Sequence, residues 1–364
     1  MTPMHPIIIY TPFEGHVHPR DGAALATTVP HIASRFGSGI IMPNLKPAVK
    51  TVVEALAYRE RILSHVPSTS PFNPLMTLYL TETTGSNELL ELAGSEGKVV
   101  ACKLYPAGAT TNSSEGIPDV EKAYGIFEAM ERLDIVLCIH GEVTDPSVDV
   151  FDREAVFIDR HLRRIRETFP NLRIVLEHVT TKEGVEFVQS AGPNTAASIT
   201  AHHLLFNRNA IFQGGLQPHF YCLPVLKRDV HQKALIRAAT GGMGNFFAGT
   251  DSAPHLKDLK EASCGCAGCY TAPQAVEMYA EVFDRSGAFD PKQGGIDVES
   301  FEWFMSKSGP TFYRIPVSEG YVTLRKETSD VPPDYPFGES GVVVPLLAGK
   351  TIEWRAERIL RGGN

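Results

Sequence analysis

Short apolar runs recur along the chain, separated by segments with a helical pattern. Most of these runs carry the β-branched and aromatic residues that are typical of buried strands. There are eight runs, at residues 7–10, 39–42, 75–80, 99–105, 135–140, 174–178, 196–200 and 246–251. Helical patterns lie between them, most clearly at 21–36, 50–65, 119–133, 159–168 and 228–240. The alternation predicts an α/β protein with a (β/α)8 barrel (TIM barrel) rather than an open doubly wound sheet.

The remainder of the chain does not predict a second core. After the eighth run come helical patterns near 271–285 and 297–308, a proline-rich stretch around 332–336, and the apolar run 342–347. A length of 364 residues is compatible with one α/β barrel. We predict a single domain over residues 1–364, with a C-terminal helical extension.

Composition and charge restrict the partners of the protein. A formal net charge of −8 argues against a nucleic-acid binder, which would usually carry a basic stripe. No window approaches the ~18 uninterrupted apolar residues of a membrane span, and the first residues lack the basic and apolar regions of an export signal. Without a secretory context, the six cysteines indicate reduced thiols. We therefore expect a cytoplasmic protein that acts on a small molecule and binds neither nucleic acid nor a membrane.

Ionisable side chains stand where several of the apolar runs end. They are His16, His18, Lys103, His140, His178 and Asp251. Barrel chemistry takes place at the carboxyl ends of the strands. We place His16 and His18 at the end of the first run, 7–10, where their two-residue spacing would direct both imidazoles to one side as ligands for a metal such as zinc. A single histidine in such a position is more often a hydrogen-bonded core residue, but the joint pattern predicts a metal site.

Lys103 is the unusual member of this set. An ammonium group among four imidazoles and a cation would be repelled, and a buried lysine tends to lose its proton. A neutral lysine amine can react with CO₂ to form a carbamate, whose two oxygens can bridge two metal ions. The alternative is a lysine whose charged end reaches the barrel rim.

The combination of an H-x-H pair, a lysine on the fourth strand, two further histidines and an aspartate resembles the binuclear amidohydrolase superfamily. Within it, the segments 15–22, 42–44, 103–107 and 251–255 are similar to those of dihydroorotases of the single-domain form common in bacteria and fungi. The segments 214–215, 221–224 and 264–269 support the resemblance, which extends from about residue 16 to residue 354. Gly108 departs from the asparagine frequent in bacterial members, which leaves details of its loop open.

The resemblance implies two Zn²⁺ ions per subunit, bridged by carboxylated Lys103 and a hydroxide. The more buried ion would be held by His16, His18, Asp251 and the carbamate, and the other by His140, His178 and the same carbamate. The hydroxide would attack the ring amide carbonyl of dihydroorotate. Asp251 would be the catalytic residue that takes the proton and returns it to the leaving nitrogen. In pyrimidine (UMP) biosynthesis the reaction runs in reverse, from N-carbamoyl-L-aspartate to (S)-dihydroorotate and water.

The resemblance also implies which residues bind the substrate. A clamp for its free carboxylate, to which a guanidinium group is suited, would consist of Arg20, Asn44 and His255. Contacts to the ring edge, mainly through backbone groups, would come from Leu223, Ala267 and Gly268.

The loop 108–114 follows the fourth strand and leaves the barrel at the same rim. We predict a lid, in which the hydroxyls of Thr110 and Thr111 donate hydrogen bonds to the substrate and the loop excludes bulk water. The alternative is a mobile surface connection.

Several readings stay open at this point. Cys264, Cys266 and Cys269 suggest a thiolate metal site, but a fourth ligand is missing nearby, and a glycine-turned loop shaping the pocket is the preferred interpretation. His202 and His203 have no assigned role. A hydantoinase or dihydropyrimidinase-like enzyme would share the metals without needing the carboxylate clamp, and an inactive scaffold paralogue would be expected to have lost ligands. We also expect a homodimer.

Overall fold

The computed structural model describes residues 5–242, 244–263, 265–289 and 297–359. Its first strand, β1 (Ile7–Tyr10), lies outside the barrel and pairs antiparallel with residues 321–325, which in turn pair with residues 355–359. Every second residue of β1 is buried, as in a sheet with one solvated face. The prediction that this run is a barrel strand ending in His16 and His18 is therefore wrong.

Eight parallel strands form the centre of the molecule, each hydrogen-bonded to the next one along the chain. They are β2 (Phe13–Val17), β3 (Ser38–Ile41), β4 (Asn73–Tyr79), β5 (Val99–Leu104), β6 (Val136–Ile139), β7 (Ile174–Leu176), β8 (Thr195–Ile199) and β9 (Phe246–Ala248). Helices connect the strands on the outside, which confirms the predicted (β/α)8 barrel. Seven of the eight predicted runs supply these strands.

The first and last barrel strands are joined by hydrogen bonds at the carboxyl end. The Asp251 N–H donates to the His16 carbonyl (2.8 Å), and the His18 N–H donates to the Ser252 carbonyl (3.1 Å). The pairing of β2 with β3 is irregular between Glu14 and Val17. Such an irregularity reverses the inward and outward alternation of a strand. Closure of the barrel and this irregularity together bring His16, His18 and Asp251 to one point.

Side chains from alternate positions of the strands fill the barrel interior. On β6, Val136 and Cys138 point inward, while Leu137 and Ile139 pack against the surrounding helices. His140 continues the inward series. On β5, Ala101 points inward, so Lys103 does too, because strand side chains alternate with a period of two. The strand period therefore places His140 and Lys103 above the apolar side chains that fill the barrel interior.

The α-helices of the described residues lie mainly between successive strands. They are α1 (Leu25–Arg35), α2 (Val52–Leu63), α3 (Ser86–Ala93), α4 (Tyr124–Arg132), α5 (Arg153–Phe157), α6 (Arg163–Thr168), α7 (Lys182–Ser190), α8 (Ala201–Leu205), α9 (Asp229–Thr240), α10 (Lys257–Lys260), α11 (Ala275–Arg285), α12 (Val298–Glu302) and α13 (Ser308–Tyr313). Helix α2 begins with a capping box, in which Thr51 accepts from the Glu54 N–H (3.2 Å) and Glu54 accepts from the Thr51 N–H (3.1 Å). The sequence patterns did not predict α3 and α7.

The segment after the barrel is only partly helical. It contains α11 to α13 and then the short strands β10 (Tyr321–Arg325), β11 (Ser329–Asp330), β12 (Tyr335–Phe337), β13 (Gly341–Val343), β14 (Thr351–Ile352) and β15 (Arg355–Ile359). The predicted C-terminal helical extension therefore ends at Tyr313, and strands follow it. That residues 1–364 form one domain stays a prediction.

Candidate active site

The predicted metal ligands converge at the carboxyl end of the barrel. The Nε2 atoms of His16 and His18 lie 3.2 Å apart, and the Asp251 Oδ1 lies 3.5 Å and 3.1 Å from them, respectively. The ring centroid of His178 lies 5.0 Å from that of His16 and 4.8 Å from that of His140. All five side chains are buried and line one narrow pocket. Residues from four strand ends thus face the same small volume.

Two of these ligands reach the pocket through unusual backbone conformations. His178 has a φ of +40° and Asp251 a φ of +45°, values that side-chain-bearing residues adopt rarely. Inward-facing Val175 on β7 makes Glu177 the next inward position. The turn at His178 brings its imidazole into the pocket as well. Backbone strain of this kind clusters at functional sites.

Carboxylates that the sequence analysis missed orient two of the imidazoles. Glu177 Oε2 lies 3.0 Å from His16 Nδ1, so His16 Nε2 points into the pocket. Glu142 Oε2 lies 3.0 Å from His140 Nε2, which leaves His140 Nδ1 for the pocket. Histidines that bind metals usually pair their other nitrogen with a carboxylate in this way. The sequence could have indicated both glutamates, because each lies within two residues of a predicted metal ligand.

Burial sets the charge of the histidines. It lowers the pKa of His16, His18 and His178, so these imidazoles are neutral and keep a free electron pair. Burial acts to raise the pKa of Asp251, but the hydrogen bond with His18 helps to hold that pKa below its ordinary value. Neutral imidazoles beside an ionised carboxylate are the protonation states that a bound cation requires.

Lys103 is completely buried below the histidines. Burial lowers the pKa of its amine, which favours the neutral form. Within the described part of the chain, its Nζ has no hydrogen-bond partner, and it lies 5.3 Å from the centroid of the Tyr105 ring. A buried amine without a partner is costly unless another group completes its bonding.

The donor atoms of His16, His178 and Asp251 lie within 4.8 Å of one another, so the residues present fit a metal centre.

The predicted carboxylate clamp is assembled next to the histidines. Arg20 Nη2 lies 3.0 Å from His255 Nε2, and the Arg20 Nε donates to the Pro254 carbonyl (2.9 Å). Asn44 donates to the Thr111 carbonyl (3.0 Å), while its own Oδ1 is buried without a partner in the described residues. Arg20 and Asn44 both line the pocket that the histidines line.

The loop 108–114 lies over this pocket. Thr110 and Thr111 line it, and the Thr111 hydroxyl donates to the Ala267 carbonyl (3.4 Å). Asn112 donates to the Asn44 carbonyl (2.9 Å) from the same loop. These contacts hold the loop against the pocket, and its role as a lid stays a prediction.

Leu223, Ala267 and Gly268 line the pocket, and their contact with the substrate ring stays a prediction. The Gly268 N–H donates to the Tyr221 carbonyl (2.9 Å). A Cβ at Gly268 would lie 2.4 Å from the Ala253 carbonyl oxygen, and its φ is +149°. Only glycine fits here, because any other side chain would collide with the backbone that carries the clamp.

Among the described residues, Cys269 belongs to a group of possible metal-binding side chains that does not include Cys266. The Cys269 thiol lies close to Cys222 and His202. The donor atoms of these three residues all lie within 4.8 Å of one another. The Cys222 thiol donates to the Pro224 carbonyl (3.3 Å) and the Cys269 thiol to the His219 carbonyl (3.3 Å). The hydrogen bond with Cys269 and burial raise the pKa of Cys222, which favours the protonated form of the Cys222 thiol. Cys264 lies outside the described residues.

His203 fills a structural position. Its Nδ1 lies 2.7 Å from the Thr200 hydroxyl and its Nε2 lies 3.0 Å from the Pro224 carbonyl oxygen. Both ring nitrogens are therefore paired, which is the arrangement of a core histidine.

Comparison with known proteins first gives the class. The sequence pattern of the amidohydrolase family matches residues 10–314, a range that contains the whole barrel. The chain belongs to the amidohydrolases, a class that the strand-end histidines, lysine and aspartate also indicate.

Within this class, the chain belongs to the dihydroorotases. It is 54% identical over 352 residues to the dihydroorotase of Aromatoleum aromaticum, which covers 97% of this chain and 99% of that protein. It is 54% identical over 349 residues to the dihydroorotase of Leptothrix cholodnii, with 96% and 98% covered.

Solved structures agree with this placement. The dihydroorotase of Campylobacter jejuni has a TM-score of 0.86 and 32% identity, with 98% of both chains covered. The dihydroorotase of Saccharomyces cerevisiae, in complex with 5-fluoroorotic acid, has a TM-score of 0.87 and 30% identity, with 98% of this chain and 100% of that chain covered. The L-hydantoinase of Arthrobacter aurescens has a TM-score of 0.77 at 14% identity, covering 98% of this chain and 84% of that chain, and shares the fold alone. Among the described residues, no helix has the length and apolar character needed to cross a membrane.

Proposed function

We propose that the chain catalyses the reversible ring closure of N-carbamoyl-L-aspartate to (S)-dihydroorotate and water. One observation carries the proposal: the Arg20–His255 pair, which suits a carboxylate, adjoins the pocket that the buried imidazoles and Asp251 line. Both compounds carry a free carboxylate on the carbon beside the nitrogen that does not react, and one methylene group separates that carbon from the carbonyl of the amide that forms or breaks. A hydantoin or a dihydropyrimidine without that carboxylate would leave the guanidinium without its partner.

The same pocket supports a proposal for the cofactor. Two Zn²⁺ ions would be held by His16, His18, His140, His178 and Asp251, with carboxylated Lys103 as the shared ligand. The neutral imidazoles and the unpartnered Lys103 amine support this assignment. When bound, such ions would polarise the amide carbonyl and lower the pKa of water from ~15.7 towards ~7.

Asp251 is the proposed proton carrier. Its pKa lies below the ordinary value, so the side chain is ionised at neutral pH and can accept a proton. In hydrolysis it would take a proton from the attacking water and return it to the ring nitrogen as the C–N bond breaks. Ring closure would move the proton in the opposite direction.

The remaining chain groups would orient the substrate and keep water away. Arg20, Asn44 and His255 would bind the carboxylate, and the buried, unpaired Asn44 Oδ1 can accept a hydrogen bond from a substrate N–H. Leu223, Ala267 and Gly268 would form the wall against the ring. We further propose a cytoplasmic homodimer that acts in pyrimidine biosynthesis.

An activity assay against three compounds tests the function. Purified protein supplied with zinc should hydrolyse dihydroorotate and cyclise N-carbamoyl-L-aspartate, with little activity on dihydrouracil or hydantoin. Preference for either of the latter compounds would indicate the hydantoinase or dihydropyrimidinase class. No activity on any compound, with zinc bound, would indicate an inactive scaffold.

Arg20→Met tests the carboxylate clamp. We expect KM for N-carbamoyl-L-aspartate to rise about tenfold to a hundredfold, because a charge-assisted hydrogen bond contributes ~1.5–3 kcal/mol. Zinc content should stay unchanged. Steady-state kinetics and metal analysis give the two readouts. Arg164→Met is the matched control, because Arg164 pairs with Glu121 on the exposed surface, and its KM should equal that of the wild type. An unchanged KM in Arg20→Met would remove Arg20 from the substrate site.

Removal of the Thr110 and Thr111 hydroxyls tests the lid. We expect the double alanine variant to lower turnover about tenfold, since two neutral hydrogen bonds at ~0.5–1.5 kcal/mol each are removed. Zinc content and Tm should not change. Thr83→Ala provides the control, because Thr83 is exposed on the loop that follows β4 at the same end of the barrel. Wild-type turnover in the double variant would identify the loop as a passive connection.

A further inference from the structure

Lys260 is a buried lysine that the chemistry described above does not use. It is the last residue of α10 and is 4% exposed. Its Nζ donates to the carbonyls of Tyr221 (2.8 Å), Cys266 (2.9 Å) and Gly268 (2.8 Å). An ammonium group has three N–H donors and no acceptor. Each donor therefore has one backbone carbonyl as its partner.

These carbonyls belong to two segments that form one wall of the pocket. Residues 221–223 contribute Leu223, and residues 266–268 contribute Ala267 and Gly268. The segments also bond directly to each other, through the Gly268 N–H and the Tyr221 carbonyl (2.9 Å). The Lys260 ammonium thus joins the two segments and is not among the described residues that line the pocket.

The wall in turn supports the carboxylate clamp. Because one ring nitrogen cannot both donate and accept, His255 with its proton on Nε2 donates to the Ala267 carbonyl (2.9 Å) and only packs against Arg20 Nη2 (3.0 Å). Ala267 stands between two residues whose carbonyls Lys260 binds. A shift of this short segment would therefore move the partner of His255 and, through it, Arg20.

Within the described residues, Lys260 forms no ion pair with a carboxylate. In this part of the chain, the polar partners of the ammonium group are the three backbone carbonyls. The centroid of the Tyr221 ring also lies 5.8 Å from Nζ. Burying an ammonium group costs free energy unless all of its donors are satisfied. A methionine or leucine would fill the same space without this cost, so packing alone does not account for a lysine.

We propose that Lys260 is a positioning residue for substrate binding, which holds the segments 221–223 and 266–268 together and thereby sets the place of His255 and Arg20. The inference rests on the proposed function, because it concerns the same carboxylate clamp. It predicts an effect on the binding of carboxylate-bearing ligands and none on the metal centre.

Lys260→Met tests this role, because methionine keeps a long unbranched side chain but has no donors. We expect KM for N-carbamoyl-L-aspartate to rise about tenfold or more, with a smaller change in kcat and with wild-type zinc content. Lys260→Arg keeps the charge and several donors and should recover part of the loss. Lys257→Met, on the same helix and half-exposed, should match the wild type. An unchanged KM in Lys260→Met, or a loss of zinc with KM unaffected, would overturn the proposal.

A second measurement is independent of activity. Hydrogen–deuterium exchange should be faster at the Gly268 amide in Lys260→Met than in the wild type, with no change at barrel amides such as that of Leu137. If the wild type cyclises no N-carbamoyl-L-aspartate, the proposed function fails while this comparison still decides whether Lys260 joins the two segments. Equal exchange in both proteins would overturn the role of Lys260. Should Lys260→Met fail to fold, the same comparison with Lys260→Arg applies, with a smaller increase expected.

Discussion

Lys103→Ala is expected to lose metal and activity together. The proposed carbamate on Lys103 would be a ligand for both ions, so alanine would remove one ligand from each. Turnover should fall by about 10³-fold or more, since metal ions supply several kcal/mol of charge stabilisation to the transition state. Metal analysis of the purified variant, together with steady-state kinetics, measures both effects.

Two additional measurements sharpen this prediction. The wild type, prepared with ¹³C-labelled bicarbonate, should show a carbamate resonance that is absent from Lys103→Ala. Lys233→Ala serves as the control, because Lys233 pairs with Asp229 on the exposed surface. If Lys103→Ala kept two zinc ions and near-wild-type turnover, the carbamate assignment would be wrong, and Lys103 would be a buried lysine without a catalytic role.

Asp251→Asn is expected to lower turnover by about 10²–10⁴-fold in both directions, the range that a positioned general base contributes. Asparagine keeps the shape of the side chain but cannot accept and return a proton. Loss of metal affinity would produce a similar decrease, so zinc must be measured on the same sample, and kinetics should be repeated with zinc in excess. Wild-type turnover at full zinc occupancy would contradict the proton-carrying role.

Asp251→Glu complements the asparagine variant. Glutamate retains the carboxylate but displaces it by one methylene group in a position where the backbone has a φ of +45°. We expect partial activity, above that of Asp251→Asn, if proton transfer is the main role of the side chain. Equal loss in both variants would indicate that position and metal binding dominate.

Much of the site could be predicted because the ends of the barrel strands, which can be read from the sequence, meet at one rim of the barrel. Most barrel strands are apolar and short, so an ionisable residue at or just after the end of a strand lies at the carboxyl rim. This reasoning holds for Lys103, His140 and Asp251. It required no knowledge of distances, since parallel strands align their ends.

The assignment of the first strand failed for a physical reason. The run 7–10 is the more apolar segment, but it forms an outer antiparallel sheet with a strand more than 300 residues away. The true barrel strand, Phe13–Val17, contains Glu14, Gly15 and His16, and each is buried. Burial raises the pKa of Glu14 to about 8 and thereby favours a neutral carboxyl group at this buried position. Because this strand contains polar residues, its sequence lacks the apolar run by which the other barrel strands were recognised.

Partners from distant parts of the chain were likewise invisible in the sequence. The pairing of Glu177 with His16 spans 161 positions, and the contact of Lys260 with Tyr221 spans 39. Neither residue lies at a spacing that predicts its partner. Only the folded barrel places them within hydrogen-bond distance.

The sequence by itself determined the fold class, the rim at which chemistry occurs and the residue types gathered there, because local periodicity and strand-end chemistry are properties of short segments. The tertiary structure alone decided which nitrogen of His16 and of His140 faces the pocket, how the irregularity in β2 turns His16 inward, and which carbonyls Lys260 holds. These features depend on hydrogen bonds between segments far apart in the chain. Their geometry exists only once the barrel has closed.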